Sequence, residues 1–253
     1  MGTLVSEKLQ YKTTLIALLE SLDLGTSGDG TGTGGIGEID DARMALINLV
    51  KIKLDELIPQ GEGVVYNLES KPNISDPLDL YINGLLDEAA KNVLQTAPKQ
   101  LCPVKQSLES AVANATDNKI GFVKCPDDYL RLFAFRMTEW KRQVEDPITT
   151  NDPFYLEQGN KYTRGGIAKP VVVVNRRIIV DAVVKVLEYY SVNSSHAINR
   201  FLYIPIMPAE DTPGNLWDSI TWTCAAKILQ NINLTDLSRL AFEQANLCYT
   251  NLR

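Results

Sequence analysis

The sequence has little of the residues that enzymes use for acid–base, nucleophilic or metal chemistry. Its 253 residues include one histidine, His196, and four cysteines, none of which has a Cys-x-x-Cys or Cys/His ligand spacing. A zinc site made of protein ligands is therefore not expected. His196 lies beside two serines but outside any Gly-x-Ser-x-Gly pattern, so we expect a solvated histidine in a turn. The sequence predicts no catalytic residue, no metal, no cofactor and no enzymatic activity.

Long apolar runs and an excess of positive charge are also missing. No apolar run approaches the length of a membrane span, and no basic segment followed by an apolar run opens the chain, so neither a span nor a secretory signal is predicted. The net charge of −6 argues against general binding of duplex DNA. Residues 101–200 nevertheless carry 14 Lys+Arg against 11 Asp+Glu, whereas residues 1–100 carry 8 against 15. This polarity would favour head-to-tail contact between copies of the chain, whereas a solvated surface is the simpler interpretation of any single charge.

The order of helix and strand signals predicts an α+β fold, with helices at both ends of the chain around an antiparallel β-module. Residues 1–118 are expected to be mainly helical, with a flexible glycine-rich loop at 25–37. Residues 119–208 form the predicted β-module. Residues 209–253 are expected to form a C-terminal αα-hairpin that packs with the front helices.

Capping residues and apolar periodicity support the helices. Asp76 precedes Pro77, which places a capping carboxylate before a proline at the first turn of a helix. Apolar residues at helical spacing also predict helices over 40–57 and, more briefly, over 104–113. The two terminal helices are separated only by residues 231–234, so they are expected to lie antiparallel and adjacent.

Runs of β-branched and aromatic residues predict the strands. Residues 129–144 have apolar side chains on both faces, which suits a strand covered on both sides. Residues 171–174 form a short strand that is expected to end at 175–177. Residues 178–190 fit either a strand or a helix, and we favour a strand because β-branched residues dominate. A hairpin between this segment and a strand at 201–206 is predicted.

Two groups of residues in these segments are candidates for contacts with partners. Four aromatic residues are interface candidates: Tyr129, Trp140, Trp217 and Trp222. Six arginines are candidates for lining a channel or contacting another subunit: Arg131, Arg136, Arg142, Arg164, Arg176 and Arg177. Salt bridges, solvent exposure and completion of the core are the simpler interpretations. Aromatic and basic residues together can also stack ligands, so a carbohydrate- or nucleic-acid-binding β-module is the alternative function.

Five short stretches follow one another along roughly the second half of the chain. They are residues 126–132 (PDDYLRL), 169–170 (KP), 201–205 (FLYIP), 222–229 (WTCAAKIL) and 243–245 (EQA). In this order they resemble the head-to-tail connector or adaptor (ring) proteins of tailed bacteriophages, especially those of the crAss-like, short-tailed type. The acidic front of the chain and its glycine-rich loop fall outside the resemblance.

The resemblance implies a non-enzymatic virion structural protein that forms a homo-oligomeric ring, commonly dodecameric. Such a ring joins the portal to the tail and lines the channel through which double-stranded DNA passes. The implied partners are further copies of the chain, the portal protein and other tail or ring proteins, with no membrane and no cofactor. The implied location is the neck or tail of the virion, after synthesis in the host cytoplasm. A channel in which DNA slides should avoid tight binding of phosphates, which agrees with the acidic net charge.

Overall fold

A computed structural model of the chain describes residues 41–57, 77–190, 192 and 195–250. The predicted glycine-rich loop lies outside the described residues. Helices and mostly antiparallel sheets are both present, so the predicted α+β class is confirmed. The contacts of the chain divide it into a β unit, Cys102–Ile206, and a helical unit that contains the described residues on both sides of it. The β unit therefore begins well before residue 119, where the sequence predicts its start.

The helices and strands are named in chain order. The helices are α1 (Asp41–Leu57), α2 (Pro77–Thr96), α3 (Pro153–Gln158), α4 (Trp217–Asn231) and α5 (Thr235–Thr250). The strands are β1 (Lys105–Gln106), β2 (Ala111–Ala113), β3 (Gly121–Lys124), β4 (Tyr129–Met137), β5 (Ile148–Thr149), β6 (Val172–Ile179), β7 (Ala182–Tyr189) and β8 (Ile198–Pro205). Short 3-10 turns lie at Lys99–Leu101 and Gly214–Leu216.

The centre of the helical unit is α4. It packs against α1, α2 and α5, and its side chains are buried on every side from Ser219 to Leu229, apart from the half-buried Lys227. A helix that is buried all round belongs to the interior of a fold rather than to its surface. The two C-terminal helices and the two described helices at the front of the chain thus share one core.

The connection between α4 and α5 is a helix C-cap of the Schellman type. Asn233 has a φ of 62°, and its backbone N–H donates to the carbonyl of Gln230 at 3.0 Å. The next N–H, that of Leu234, donates to the carbonyl of Leu229 at 2.9 Å. Asparagine tolerates the left-handed conformation that this cap requires, so the sequence stops α4 sharply and turns the chain back into α5.

A hydrogen-bonded network around Arg43 joins three segments of the helical unit. Its guanidinium donates to Asn83 Oδ1 at 2.5 Å and to Asp87 Oδ1 at 3.0 Å on α2. It also donates to Glu210 Oε2 at 2.6 Å, just after the chain leaves the β unit. Burial opposes ionisation of Asp87, but hydrogen bonds from Arg43 and from the Ala209 N–H outweigh it and lower the pKa of that carboxyl.

The β unit contains two sheets around one core. A three-stranded sheet has the order β1-β8-β4, and a five-stranded sheet has the order β2-β3-β7-β6-β5. All neighbours are antiparallel except β5 and β6. The core draws on both sheets, and its largest fully buried side chains are Trp140, Tyr189, Phe135, Phe201, Leu132, Met137 and Leu187.

Three local predictions for this unit are wrong. The segment 104–113 contains the short strands β1 and β2 instead of a helix. Pairing of β1 with β8 and of β2 with β3 satisfies the backbone hydrogen-bonding groups of these strands. Residues 175–177 do not end a strand, since β6 continues to Ile179. The predicted hairpin between 178–190 and 201–206 does not form: β7 pairs with β6 and β3, while β8 pairs with β4 and β1. The preference for a strand over most of 178–190 is confirmed by β7.

Candidate assembly surfaces

Tyr129 and Trp140, two of the four candidate interface aromatics, lie inside the β unit. Tyr129 is 6% exposed and stacks on Tyr203 with ring centroids 5.9 Å apart. Trp140 is 1% exposed and meets Phe135 edge to face at 5.7 Å. Burial raises the pKa of the Tyr129 phenol far above its usual value. Both rings are core residues of the chain, so they offer no open face on which a base, a sugar or a partner side chain stacks.

The other two candidate aromatics lie in α4. Trp222 is 9% exposed, and Lys53 Nζ lies 4.8 Å from the centroid of its ring, a cation–π geometry. Trp217 is half-buried, and its Nε1–H donates to the carbonyl of Thr212 at 3.1 Å. Only Trp217 therefore keeps ring surface that a partner can reach.

Two of the six candidate arginines form ion pairs within the β unit. Arg164 Nη1 donates to Asp117 Oδ2 at 2.8 Å, and this hydrogen bond lowers the pKa of the Asp117 carboxyl. Arg177 Nε donates to Glu188 Oε1 at 2.7 Å, and its guanidinium lies 4.7 Å from the centre of the Phe122 ring. Glu188 is only 4% exposed, so Arg177 neutralises a buried carboxylate.

Two further arginines are half-buried against other parts of the β unit. Arg136 Nε donates to the carbonyl of Trp140 at 3.1 Å. Arg131 Nη2 lies 3.4 Å from the sulfur of Cys102. These two side chains and the two ion-paired arginines thus make their contacts within the β unit. Only Arg142 and Arg176 have exposed side chains among the six candidates.

The β6–β7 hairpin is a feature that the sequence did not predict. The two strands pair with each other along their whole lengths. Of β7, only Val186–Tyr189 also pairs with β3, and of β6, only Val173 and Val174 also pair with β5. Residues 176–184 therefore form a two-stranded ribbon with no described strand on either side. We call residues 176–184 the arm.

The tip of the arm is apolar and has an unusual turn. Ile178 is 76% exposed, Val180 is 93% exposed and Val183 is 68% exposed. Val180 and Asp181 both have positive φ, at 47° and 61°. Paired positive φ values are the signature of a type I′ hairpin turn, for which Asn-Gly is the favoured sequence. That signal is absent at Val180 and Asp181, so the sequence predicts one continuous strand over 178–190 where the structure has a hairpin turn.

The helical unit has a groove between α2 and α5, with α4 beneath it. Its volume is about 350 Å³. Its lining has apolar and amide side chains, among them Asn92, Val93, Phe242, Asn246 and Tyr249, and none of its lining residues is charged. The lining of the groove thus combines apolar side chains with hydrogen-bonding groups.

The cysteines do not have the character of nucleophiles. Cys102, Cys125 and Cys224 are buried, and burial raises the pKa of Cys125 and of Cys224 to about 12. A thiol with so high a pKa stays protonated near neutral pH and reacts slowly. Among the residues that the structure describes, no group of three or more His, Cys, Asp or Glu side chains is placed to hold a metal ion.

His196 is not the solvated turn residue that the sequence predicts. Its Nδ1 is hydrogen bonded to the hydroxyl of Tyr189 at 2.6 Å, and burial raises the pKa of that phenol to about 12. Tyr189 is fully buried and His196 is half-buried, with their ring centroids 5.8 Å apart, so the imidazole packs at the edge of the β-unit core. The pair serves packing and hydrogen bonding.

The described helices include none that is long and apolar enough to cross a membrane. No protein-family model and no curated protein matches the chain.

Proposed function

We propose that the chain is a structural subunit of a phage neck or tail, one copy in a ring that joins the portal to the tail and surrounds the DNA channel. The observation that carries this proposal is the opposite charge of the two units. Cys102–Ile206 has 14 Lys+Arg and 11 Asp+Glu, a net charge of +3. Residues 41–57, 77–101 and 207–250 have 7 Lys+Arg and 11 Asp+Glu, a net charge of −4.

Such polarity favours contact between unlike surfaces of neighbouring copies. A β unit of one copy attracts the helical unit of the next, whereas two β units or two helical units repel each other. Repeated contacts between unlike surfaces are heterologous, and they produce a closed ring when the rotation between neighbours divides a full turn. The order of the five stretches that resemble connector proteins supports the same conclusion independently.

The arrangement of the candidate arginines supports a channel in which DNA slides. Four of the six are engaged inside the β unit, which leaves Arg142 and Arg176 as the exposed ones. Each phosphate contact adds to affinity and to salt dependence, so many free arginines would hold DNA rather than let it pass. Few free arginines on a subunit whose net charge is −6 suit transient passage.

The proposal is tested by the assembly state of the full chain. Mass photometry over a range of concentrations and negative-stain images should reveal rings with a central opening, formed alone or on addition of the phage portal protein. Binding of double-stranded DNA should be weak at physiological salt and should weaken further in an Arg142→Glu variant. The matched control is Lys161→Glu, which reverses an exposed charge of the same unit. Arg164→Glu would not serve, because Arg164 forms an ion pair with Asp117.

The alternative function makes the opposite prediction. A chain that stays monomeric with and without portal protein, and binds an oligosaccharide or single-stranded oligonucleotide tightly, would refute the ring proposal. The burial of Tyr129 and Trp140 removes the stacking platform that this alternative requires.

A further inference from the structure

The arm has features that do not serve the isolated fold. A β-branched residue in the left-handed region is strained, and Val180 has this conformation while 93% of it is exposed. Asparagine or glycine would relieve the strain and remove the exposed apolar group at once. Ile178 and Val183 are paired across the ribbon, so their exposed side chains form one apolar face. An exposed apolar cluster on a projecting hairpin is typical of an interaction site.

The base of the arm is held firmly. Arg177 is paired with the buried Glu188 and lies over Phe122. Lys185 lies with its Nζ 4.6 Å from the centroid of the Tyr129 ring, and the Cys125 N–H donates to the carbonyl of Lys185 at 2.9 Å. These contacts fix the direction of the ribbon, so its tip is presented with little loss of conformational freedom on binding.

The groove between α2 and α5 has the chemistry to receive such a tip. Its floor of Val93, Phe242 and Tyr249 suits apolar side chains. The amides of Asn92 and Asn246 in its lining are able to hydrogen bond with the peptide groups of the turn and with the carboxylate of Asp181. Its lining has no charge, so an arriving Asp181 meets no carboxylate there.

Charge beyond the groove matches the arm's remaining exposed cation. Glu243 is exposed on α5 directly after Phe242, which lines the groove. Arg176 is exposed on β6, four residues before Val180 and hence about 13 Å along the strand from the tip. The described part of the helical unit has a net charge of −4, so it attracts the exposed Arg176 of an arm seated in the groove.

We infer that the arm of one copy inserts its tip, centred on Val180, into the α2–α5 groove of a second copy of this chain. The inference rests on the proposed ring and names the contact that joins its subunits. The arm and the groove are different surfaces, and every copy has one of each. The contact is heterologous, as ring closure requires.

The test uses one variant on each side of the contact. Val180→Asp places a charge at the tip, and Asn246→Arg places a long cation in the groove. Each variant alone should lose self-assembly. Because each retains one good surface, an equimolar mixture should form a one-to-one heterodimer and nothing larger, which native mass spectrometry detects. Circular dichroism and thermal unfolding check that both variants are folded.

Two further variants separate contact from fold. Val180→Asn suits the left-handed turn, so its melting temperature should equal or exceed that of the wild type while the dissociation constant of assembly rises about ten- to hundredfold. Leu108→Asp is the matched control, because Leu108 is an equally exposed apolar residue of the same unit, at 92%. It should assemble as the wild type does.

The outcomes separate this inference from the proposed function. If the wild type forms rings and the Val180 and Asn246 variants form them equally well, the arm is not the contact, and the ring proposal stands. If the variants block assembly but the wild type forms only open filaments, the contact stands and the ring proposal fails. A wild type that never self-associates, either alone or with portal protein, overturns both.

Discussion

Gly121→Ala is expected to destabilise the β unit strongly, because the added methyl group has no room. A Cβ at this position would lie 2.1 Å from Tyr189 Oη, 2.4 Å from Tyr189 Cζ and 2.6 Å from the carbonyl oxygen of Val112. Favourable contacts between carbon atoms lie at about 3.5–4.0 Å. Gly121 is paired with Tyr189 across β3 and β7, so the phenol ring occupies the place of the missing side chain.

The size of the effect follows from how firmly Tyr189 is held. Its side chain is fully buried, stacks on Phe135, and is hydrogen bonded through its hydroxyl to His196. Overpacking of a core costs about 1–3 kcal/mol, and loss of the hydrogen bond adds about 0.5–1.5 kcal/mol. We therefore expect a loss of about 3 kcal/mol, which is a large share of the 5–15 kcal/mol that stabilises a typical domain.

The matched control is the same substitution in the helical unit. Gly84 lies inside α2, and a Cβ there would meet no atom within 4 Å. Gly84→Ala should therefore stabilise α2 by about 0.5–1 kcal/mol, because alanine is the better helix former. Native-state hydrogen exchange, read peptide by peptide with mass spectrometry, gives the unfolding free energy of each unit separately.

The clash with Tyr189 also predicts a coupling. Tyr189→Phe removes the oxygen that is nearest to the new methyl group, so Gly121→Ala should cost less in that background than in the wild type. Strictly additive effects, or a loss below about 0.5 kcal/mol for Gly121→Ala alone, would refute the steric explanation.

Three other predictions concern charge and thiol chemistry. Arg177→Met should destabilise the β unit by about 2 kcal/mol in urea titrations. This is less than for a fully buried ion pair, because the Arg177 side chain is 35% exposed. Adding Glu188→Gln should recover part of the lost stability, because it removes the unpaired buried charge. Asp87 has a lowered pKa in the folded chain, so its contribution to stability is present above the unfolded value and lost as the pH falls through the folded one. Melting temperatures measured from neutral to acidic pH should accordingly fall more steeply for the wild type than for Asp87→Asn. Cys125, whose pKa is raised to about 12, should resist iodoacetamide in the folded chain at mildly alkaline pH and react once urea unfolds it; rapid labelling without urea would contradict its burial.

Local signals were enough to predict much of the helical unit. Asp76 and Pro77 indicate the start of α2, and the structure begins that helix at Pro77. The short polar stretch at 231–234 predicts adjacent terminal helices, and the Asn233 cap produces them. These features are encoded within one or two turns of the chain, so periodicity and capping suffice to find them.

Features that depend on distant residues were missed. β1 and β2 are strands only because β8 and β3 provide their hydrogen-bonding partners, and the sequence around 104–113 gives no local sign of this. The burial of Tyr129 and Trp140 likewise follows from closure of two sheets on one core. The arm escaped prediction because Val180 and Asp181 form its turn without the usual turn residues.

The helical unit is interrupted by the whole β unit, and this has a consequence for synthesis on the ribosome. The faces of α1 and α2 that pack against α4 lack this partner until α4 is made, after Cys102–Ile206 has been translated. At typical translation rates this delay is on the order of ten seconds, long enough for the β unit to fold first and for a chaperone to hold the front helices. The groove needs both α2 and α5, so a nascent chain forms its arm before its groove, and the inferred contact between copies awaits synthesis of α5.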